Sequence, residues 1–133
     1  MAIVDRHGLP LAVYVARASP NEVRLIDATL AARFLAPYPT HLIGDRAYDS
    51  DLLDARLHQQ YGIALIAHHK INRVRPVTQD GRALRRAKRR WVVERFFAWL
   101  HNSRRLVSRW ERHVDNFLGM LQLACMRILL NRL

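Results

Sequence analysis

The sequence predicts an α/β fold in which at least part of the sheet is parallel. Three observations lead there. Strand-like and helix-like stretches alternate, in the order β-β-α-β-α-β-loop-α-α, which is the pattern of layered α/β domains. The run Ile63-Ala-Leu-Ile-Ala67 is short and wholly apolar, as a strand buried on both faces is. The last third of the chain carries two apolar stripes at helical spacing.

The elements follow in order. Ala2 to Val4 and Leu9 to Ala16 are apolar and flank the turn-like Arg6-His7-Gly8, predicting a β-hairpin whose leading edge has no earlier strand to pair with. Ser19-Pro20-Asn21-Glu22 reads as a capped helix start, with Val23, Ile26, Leu30 and Phe34 as the buried stripe and Pro37 and Pro39 as the stop. Thr40 to Ile43 is a short strand running into Gly44-Asp45-Arg46-Ala47-Tyr48-Asp49-Ser50. A helix over Asp51 to Gln60 follows, with Asp49 or Ser50 as its cap, Leu52, Leu53 and Leu57 inward, and Gly62 past its end. After the Ile63–Ala67 strand, His68 to Gly81 is a polar, basic loop. Helices are expected over Arg82 to Asn102 and Val114 to Arg132.

A chain of 133 residues, half of them hydrophobic, fits a single domain over residues 1–133 with a real core. The net charge of +11 and pI near 11.3 point to a polyanionic partner, nucleic acid first. Cys125 stands alone in an apolar helical run, which excludes an internal disulfide or a cysteine-rich metal site and suggests a reducing cytoplasm. Asp5, Arg6 and His7 interrupt the apolar opening, so no signal peptide is visible. The stretch Phe117 to Leu130 is too short for a membrane span.

Chemistry concentrates in two places. Asp45 stands just past a strand end, the edge where open α/β sheets bind ligands, and too far ahead of the next helix to cap it. Its neighbour Tyr48 reads as a packing residue, and His68-His69-Lys70 as a solvated or DNA-facing loop. Glu94 lies on an amphipathic helix, Arg90 to His101, whose stripe is Val92, Phe96, Trp99 and Leu100, widened by Val93 and Phe97. From Arg82 to Arg112 there are eleven Lys or Arg residues against two acids, Glu94 and Glu111. A lone carboxylate there either neutralises arginines one helical turn away or does chemistry, and the residues alone leave both open. The DNA contacts are expected from Arg85, Arg86, Lys88, Arg89, Arg90, Arg95, His101, Arg104 and Arg105, with Arg90 and Arg95 best placed for phosphates. Trp91 and Trp99 read as core rather than as stacking platforms.

Gly44-Asp45-Arg46-Ala47-Tyr48-Asp49-Ser50, followed by Arg90-xxx-Glu94 within Trp91-Val-Val-Glu-Arg-Phe-Phe-Ala-Trp-Leu100, closely resembles bacterial insertion-sequence transposases of the DDE class. Val4-Asp5-Arg6-His7-Gly8-Leu9-Pro10-Leu11 and the stretch from Arg104 to Glu111 resemble that family too. The resemblance implies an RNase H-like mixed sheet flanked by helices, in which three carboxylates hold two divalent ions, Mg²⁺ or Mn²⁺. It implies cleavage and strand transfer at element ends, with element-end and target DNA as partners, in the bacterial cytoplasm at the nucleoid. Asp45 is then the second acid, catalytic and metal-binding, and Glu94 the third. Where family members often carry a tyrosine and a lysine, this chain has Ala87 and His101. The family's first acid lies on a strand upstream of Asp5, which takes a turn position. The chain therefore resembles a C-terminal portion, truncated at its N-terminal strand and completed by an upstream segment or a homo-oligomer.

Phosphodiester cleavage needs charge neutralised on both the attacking and the leaving oxygen, and carboxylates are the natural ligands of the hard cations that do this. Two other readings compete: a non-catalytic nucleic-acid-binding module, and a regulatory partner that dimerises through its terminal apolar helix.

Overall fold

Two short sheets form among the residues that the computed structural model describes, which are 1–16, 22–79, 81–108 and 111–132. The expected cap Ser19-Pro20-Asn21 lies outside them. The chain divides into two compact units: Met1–Leu35 with Val92–Leu133, and Ala36–Trp91.

In the first unit, β1 (Ala2–Val4) and β2 (Pro10–Val13) form the expected antiparallel hairpin, with an irregularity in register between Ile3 and Val4. Its turn is organised by Asp5, whose Oδ1 accepts from the N–H groups of His7 and Leu9, both at 2.8 Å. Gly8 adopts φ +84°, which a side chain would strain. A Cβ there would also meet Arg95 and Trp99 at 3.3 Å. The first helix is shorter than the stripe suggests: a 3₁₀ turn over Glu22–Leu25 leads into α1 (Ile26–Ala31). Ile26 and Leu30 are buried as expected, but Phe34 falls beyond the helix and is exposed; its N–H bonds the carbonyl of Leu11 instead.

Helices α4 (Trp91–His101), α5 (Arg104–Val107) and α6 (Val114–Leu130) complete this unit from Val92 onward. Val13 of β2, Phe96 and Leu100 of α4, and Leu121, Ala124, Cys125 and Ile128 of α6 form one core cluster. The α6 residues recur at helical spacing, so a single stripe meets the hairpin and α4. Two aromatic expectations need correction. Trp91 and Phe97 face solvent, because the inward side of α4 is the narrower stripe Val92–Phe96–Leu100, whereas Trp99 is half-buried and packs against the core cluster as expected.

In the second unit, β3 (His41–Ile43) and β4 (Ala64–Ile66) pair in parallel, joined by α2 (Asp51–Tyr61). Ser50 caps α2, accepting from the N–H of Leu53 at 3.4 Å, and Gly62 closes it at φ +67°. Leu53 and Leu57 are buried, but Leu52 is 82% exposed, so the inner face of α2 is a pair spaced four apart and not a triplet. Helix α3 (Gly81–Ala87) contacts β4 and ends in a 3₁₀ turn over Lys88–Arg90. The expected single helix over Arg82–Asn102 is therefore interrupted. Six of the nine residues from Arg82 to Arg90 are Lys or Arg, and like charges three and four apart oppose a continuous α-helix.

Candidate active site and nucleic-acid interface

Asp45 leaves the end of β3 in extended backbone, at φ −82° and ψ −175°. It is not the cap of α2, as the sequence indicated, but it is a cap. Its Oδ1 accepts from the N–H of Ala47 at 2.8 Å, starting a 3₁₀ turn over Arg46–Tyr48. The second carboxylate oxygen takes no part in that bond and can serve another partner. Upstream, the N–H of Gly44 bonds the carbonyl of Ile66, tying the loop to the parallel ladder. Tyr48 folds back over Gly44 so closely that a Cβ there would lie 2.9 Å from its ring, which is why a glycine is required. Tyr48 is thus a packing residue, as expected.

Asp49 ends the turn and has a role that the sequence did not reveal. Its side chain is only 6% exposed and receives three bonds. The ring Nδ1 of His69 bonds Oδ1 at 2.8 Å, Nη1 of Arg73 donates to Oδ1 at 3.0 Å, and the N–H of Lys70 donates to Oδ2 at 2.8 Å. Arg73 reaches on to Asp51 at 2.7 Å and to the carbonyl of Pro76, and Arg75 adds a second contact to Asp51. Burial pushes the Asp49 carboxyl up, but the Lys70 N–H, the His69 bond and the charges of His69 and Arg73 outweigh it and hold it below the usual carboxylate range. The Arg73 bond does the same for Asp51. His69 is therefore turned inward, with its Nε2 buried, and is not part of a solvated surface. Pairings across 20 to 24 residues leave no local signature. The only hint was acids at 49 and 51 preceding the basic loop at 68–75.

Glu94 lies in the first turn of α4 and is exposed. Among the described residues neither it nor Asp45 forms an ion pair, so of the two readings left open for Glu94 the salt bridge to an arginine one turn away is not formed. Hard carboxylate oxygens of this kind suit Mg²⁺ or Mn²⁺. No three His, Cys, Asp or Glu side chains cluster as a metal site among the described residues. Asp45 belongs to one compact unit and Glu94 to the other.

The expected DNA-contacting residues Arg85, Arg86, Lys88, Arg89 and Arg90 are all exposed, as are His101, Arg104 and Arg105. Arg105 approaches Glu111 at 3.5 Å. Arg95 differs. Its Nη2 donates to the carbonyl of His7, and its guanidinium lies 5.0 Å from the Trp99 ring, which Arg132 also approaches, at 4.7 Å. Arg95 is thus engaged with the hairpin turn. No helix among the described residues is long and apolar enough to cross a membrane.

No solved structure matches the chain. It is 36% identical over 139 residues to a candidate transposase for insertion sequence element IS402 from Burkholderia cepacia; the match takes in 98% of this chain and 62% of that protein, so the chain spans less than two thirds of this relative. It is 34% identical to a candidate transposase for insertion sequence element IS6501 from Brucella ovis, over 96% of this chain and 93% of that relative. The family model described as the transposase DDE domain matches residues 1–129. With the motifs around Asp45 and Glu94 inside that match, the chain belongs to the DDE transposase family.

Proposed function

We propose that this chain takes part in DNA transposition and supplies two acids, Asp45 and Glu94, to a divalent-metal site for strand cleavage and strand transfer at insertion-sequence ends. The observation that carries the reading is electrostatic. In a chain with a net charge of +11, these two carboxylates have no ion-pair partner among the described residues. A carboxylate that makes no ion pair is available to a hard cation.

Divalent ions held there supply charge neutralisation for the attacking and the leaving oxygen of an in-line displacement. The chain's own contribution is placement. Asp45 presents one carboxylate oxygen while the other is fixed by the Ala47 N–H. The exposed basic residues of α3 and the following turn, and separately Arg104 and Arg105, offer contacts to DNA phosphates. A water or 3′-hydroxyl oxygen bonds to phosphorus as the bond to the leaving oxygen breaks, the nucleophile giving up its proton to solvent and the leaving oxygen taking one up. Asp5 is committed to its turn and is not assigned as a ligand. The wider architecture in this reading is RNase H-like, with the first acid contributed by a strand that pairs with the hairpin edge, and the chain as a portion of one catalytic domain.

The test combines the purified chain with the part of the IS402 relative that lies beyond the match, using element-end DNA and Mn²⁺. Asp45→Asn and Glu94→Gln should each reduce cleavage by roughly 10²–10³-fold, the loss typical of removing one preorganised charge-stabilising group. Cleavage that survives either substitution rules out the assignment. DNA binding without cleavage in any combination would leave a binding module in its place.

A further inference from the structure

The turn that carries Asp45 is one 3₁₀ turn long, and with Arg46 and Ala47 exposed its apolar anchorage is Tyr48 against Gly44. It is pinned at its start by the Gly44–Ile66 bond and at its end by Asp49. We propose that Asp49, held by His69, Arg73 and the Lys70 N–H, is a positioning residue that fixes the orientation of the Asp45 carboxylate. This rests on the reading of Asp45 as a metal ligand.

The geometry is specific. Asp49 brings the loop that follows β4 onto the turn that follows β3, so the two strand ends are clamped beyond the last ladder bond. Arg73 continues the clamp to Asp51 in the first turn of α2 and doubles back to the carbonyl of Pro76. The loop is closed at its far end as well, where the Gln79 side chain donates to the carbonyl of Leu65 and accepts from the N–H of Ala67. Asp49 and Arg73 are 6% and 11% exposed, so water screens their bond poorly and its geometry is well determined. Only Arg46, Ala47 and Tyr48 separate Asp49 from Asp45, and the N–H of Tyr48 bonds the carbonyl of Asp45. A shift of Asp49 is therefore transmitted through one hydrogen-bonded turn to the candidate ligand.

The test uses Mn²⁺ alone as probe, followed by water-proton relaxation on the full chain, together with amide exchange at Ala47. Asp49→Ala should weaken Mn²⁺ binding about tenfold, the lower end of what outer-shell changes produce, and deprotect the Ala47 amide while the β3–β4 ladder amides keep wild-type exchange. If Asp49→Ala does not fold, Arg73→Lys, which keeps the charge and loses the fork, should give the same pattern more weakly. In an Asp45→Ala background, Asp49→Ala should cause no further loss. An equal further loss would make Asp49 a ligand itself and overturn the positioning role. Unchanged Mn²⁺ affinity and unchanged Ala47 exchange in Asp49→Ala would overturn it too. If wild type and Asp45→Ala bind Mn²⁺ equally, the ligand reading of Asp45 falls and the proposal with it, a pattern distinct from either of the others.

Discussion

Replacing Arg95 with alanine separates a structural cation from a DNA-binding one. Its Nη2 donates to the His7 carbonyl and its guanidinium lies 5.0 Å from the Trp99 ring. A hydrogen bond from a charged donor contributes about 1.5–3 kcal/mol and a partly exposed cation–π contact about 0.5–1 kcal/mol. Partial exposure of both places the expected loss in the lower half of that sum, about 2–3 kcal/mol. Urea unfolding should show the loss as a lowered midpoint. Arg95→Lys keeps the charge but not the planar fork, so it should recover about half or less of the difference. DNA affinity, read by fluorescence anisotropy where the variant is folded, should stay within about twofold of wild type, because this charge is already directed at the hairpin. An unchanged urea midpoint, with DNA affinity falling as far as in Arg89→Ala, would refute the reasoning.

Three further outcomes are expected. Replacing Arg85, Arg86 and Arg89 together with alanine should reduce the slope of log affinity against log salt by about 2–3 on every DNA sequence, as the loss of three phosphate contacts requires; a loss confined to one sequence would indicate base readout instead. Asp49 and Asp51 have carboxyls held below their ordinary range, so their contribution to stability is complete above the unfolded pKa near 4 and disappears as pH falls through the lower folded values. Amide protection at Lys70 should follow that acid limb, and protection that instead declined between pH 6 and 8 would contradict it. Burial pushes the Cys125 thiol up to about 11, so iodoacetamide at pH 8 should label it only in urea; rapid labelling of the native chain would mean that the α6 core opens.

What the sequence revealed and what it hid divide by range of interaction. The hairpin, the strand–turn–helix around Asp45, the αL glycine closing α2 and the terminal helix all depend on residues within a few positions of one another, and they stand where local patterning put them. Leu52 and Phe34 face outward against expectation because apolar character marks a candidate for burial and not a direction; one residue of rotation or an early helix stop turns it outward. The break at Lys88–Arg90 was masked by extending the stripe of α4 upstream, where only Ala83, Leu84 and Ala87 are apolar. Of the two cap candidates Asp49 and Ser50, Ser50 is the cap, and the role of Asp49 is hidden because its partners at 69, 70 and 73 lie 20 to 24 residues away. Asp45 and Glu94 were legible as chemical types in unusual surroundings, since an acid in a basic stretch is visible without coordinates.

The division of the chain into units bears on how it folds during synthesis. The unit holding Asp45 is a single stretch, Ala36–Trp91, whereas the other needs both Met1–Leu35 and Val92–Leu133. On a ribosome delivering about 5–20 residues per second, the hairpin emerges well ahead of α4 and α6, which supply its core partners Phe96, Leu100, Leu121 and Cys125. Until then the apolar face that these helices cover is open to chaperones or to other nascent chains. The Ala36–Trp91 stretch has no such dependence: β3, α2 and β4 can pair as soon as they clear the exit, and the Asp49–Arg73 bond can close a few residues later. Every residue that seats Asp45 in its turn is therefore made before the helix that carries Glu94.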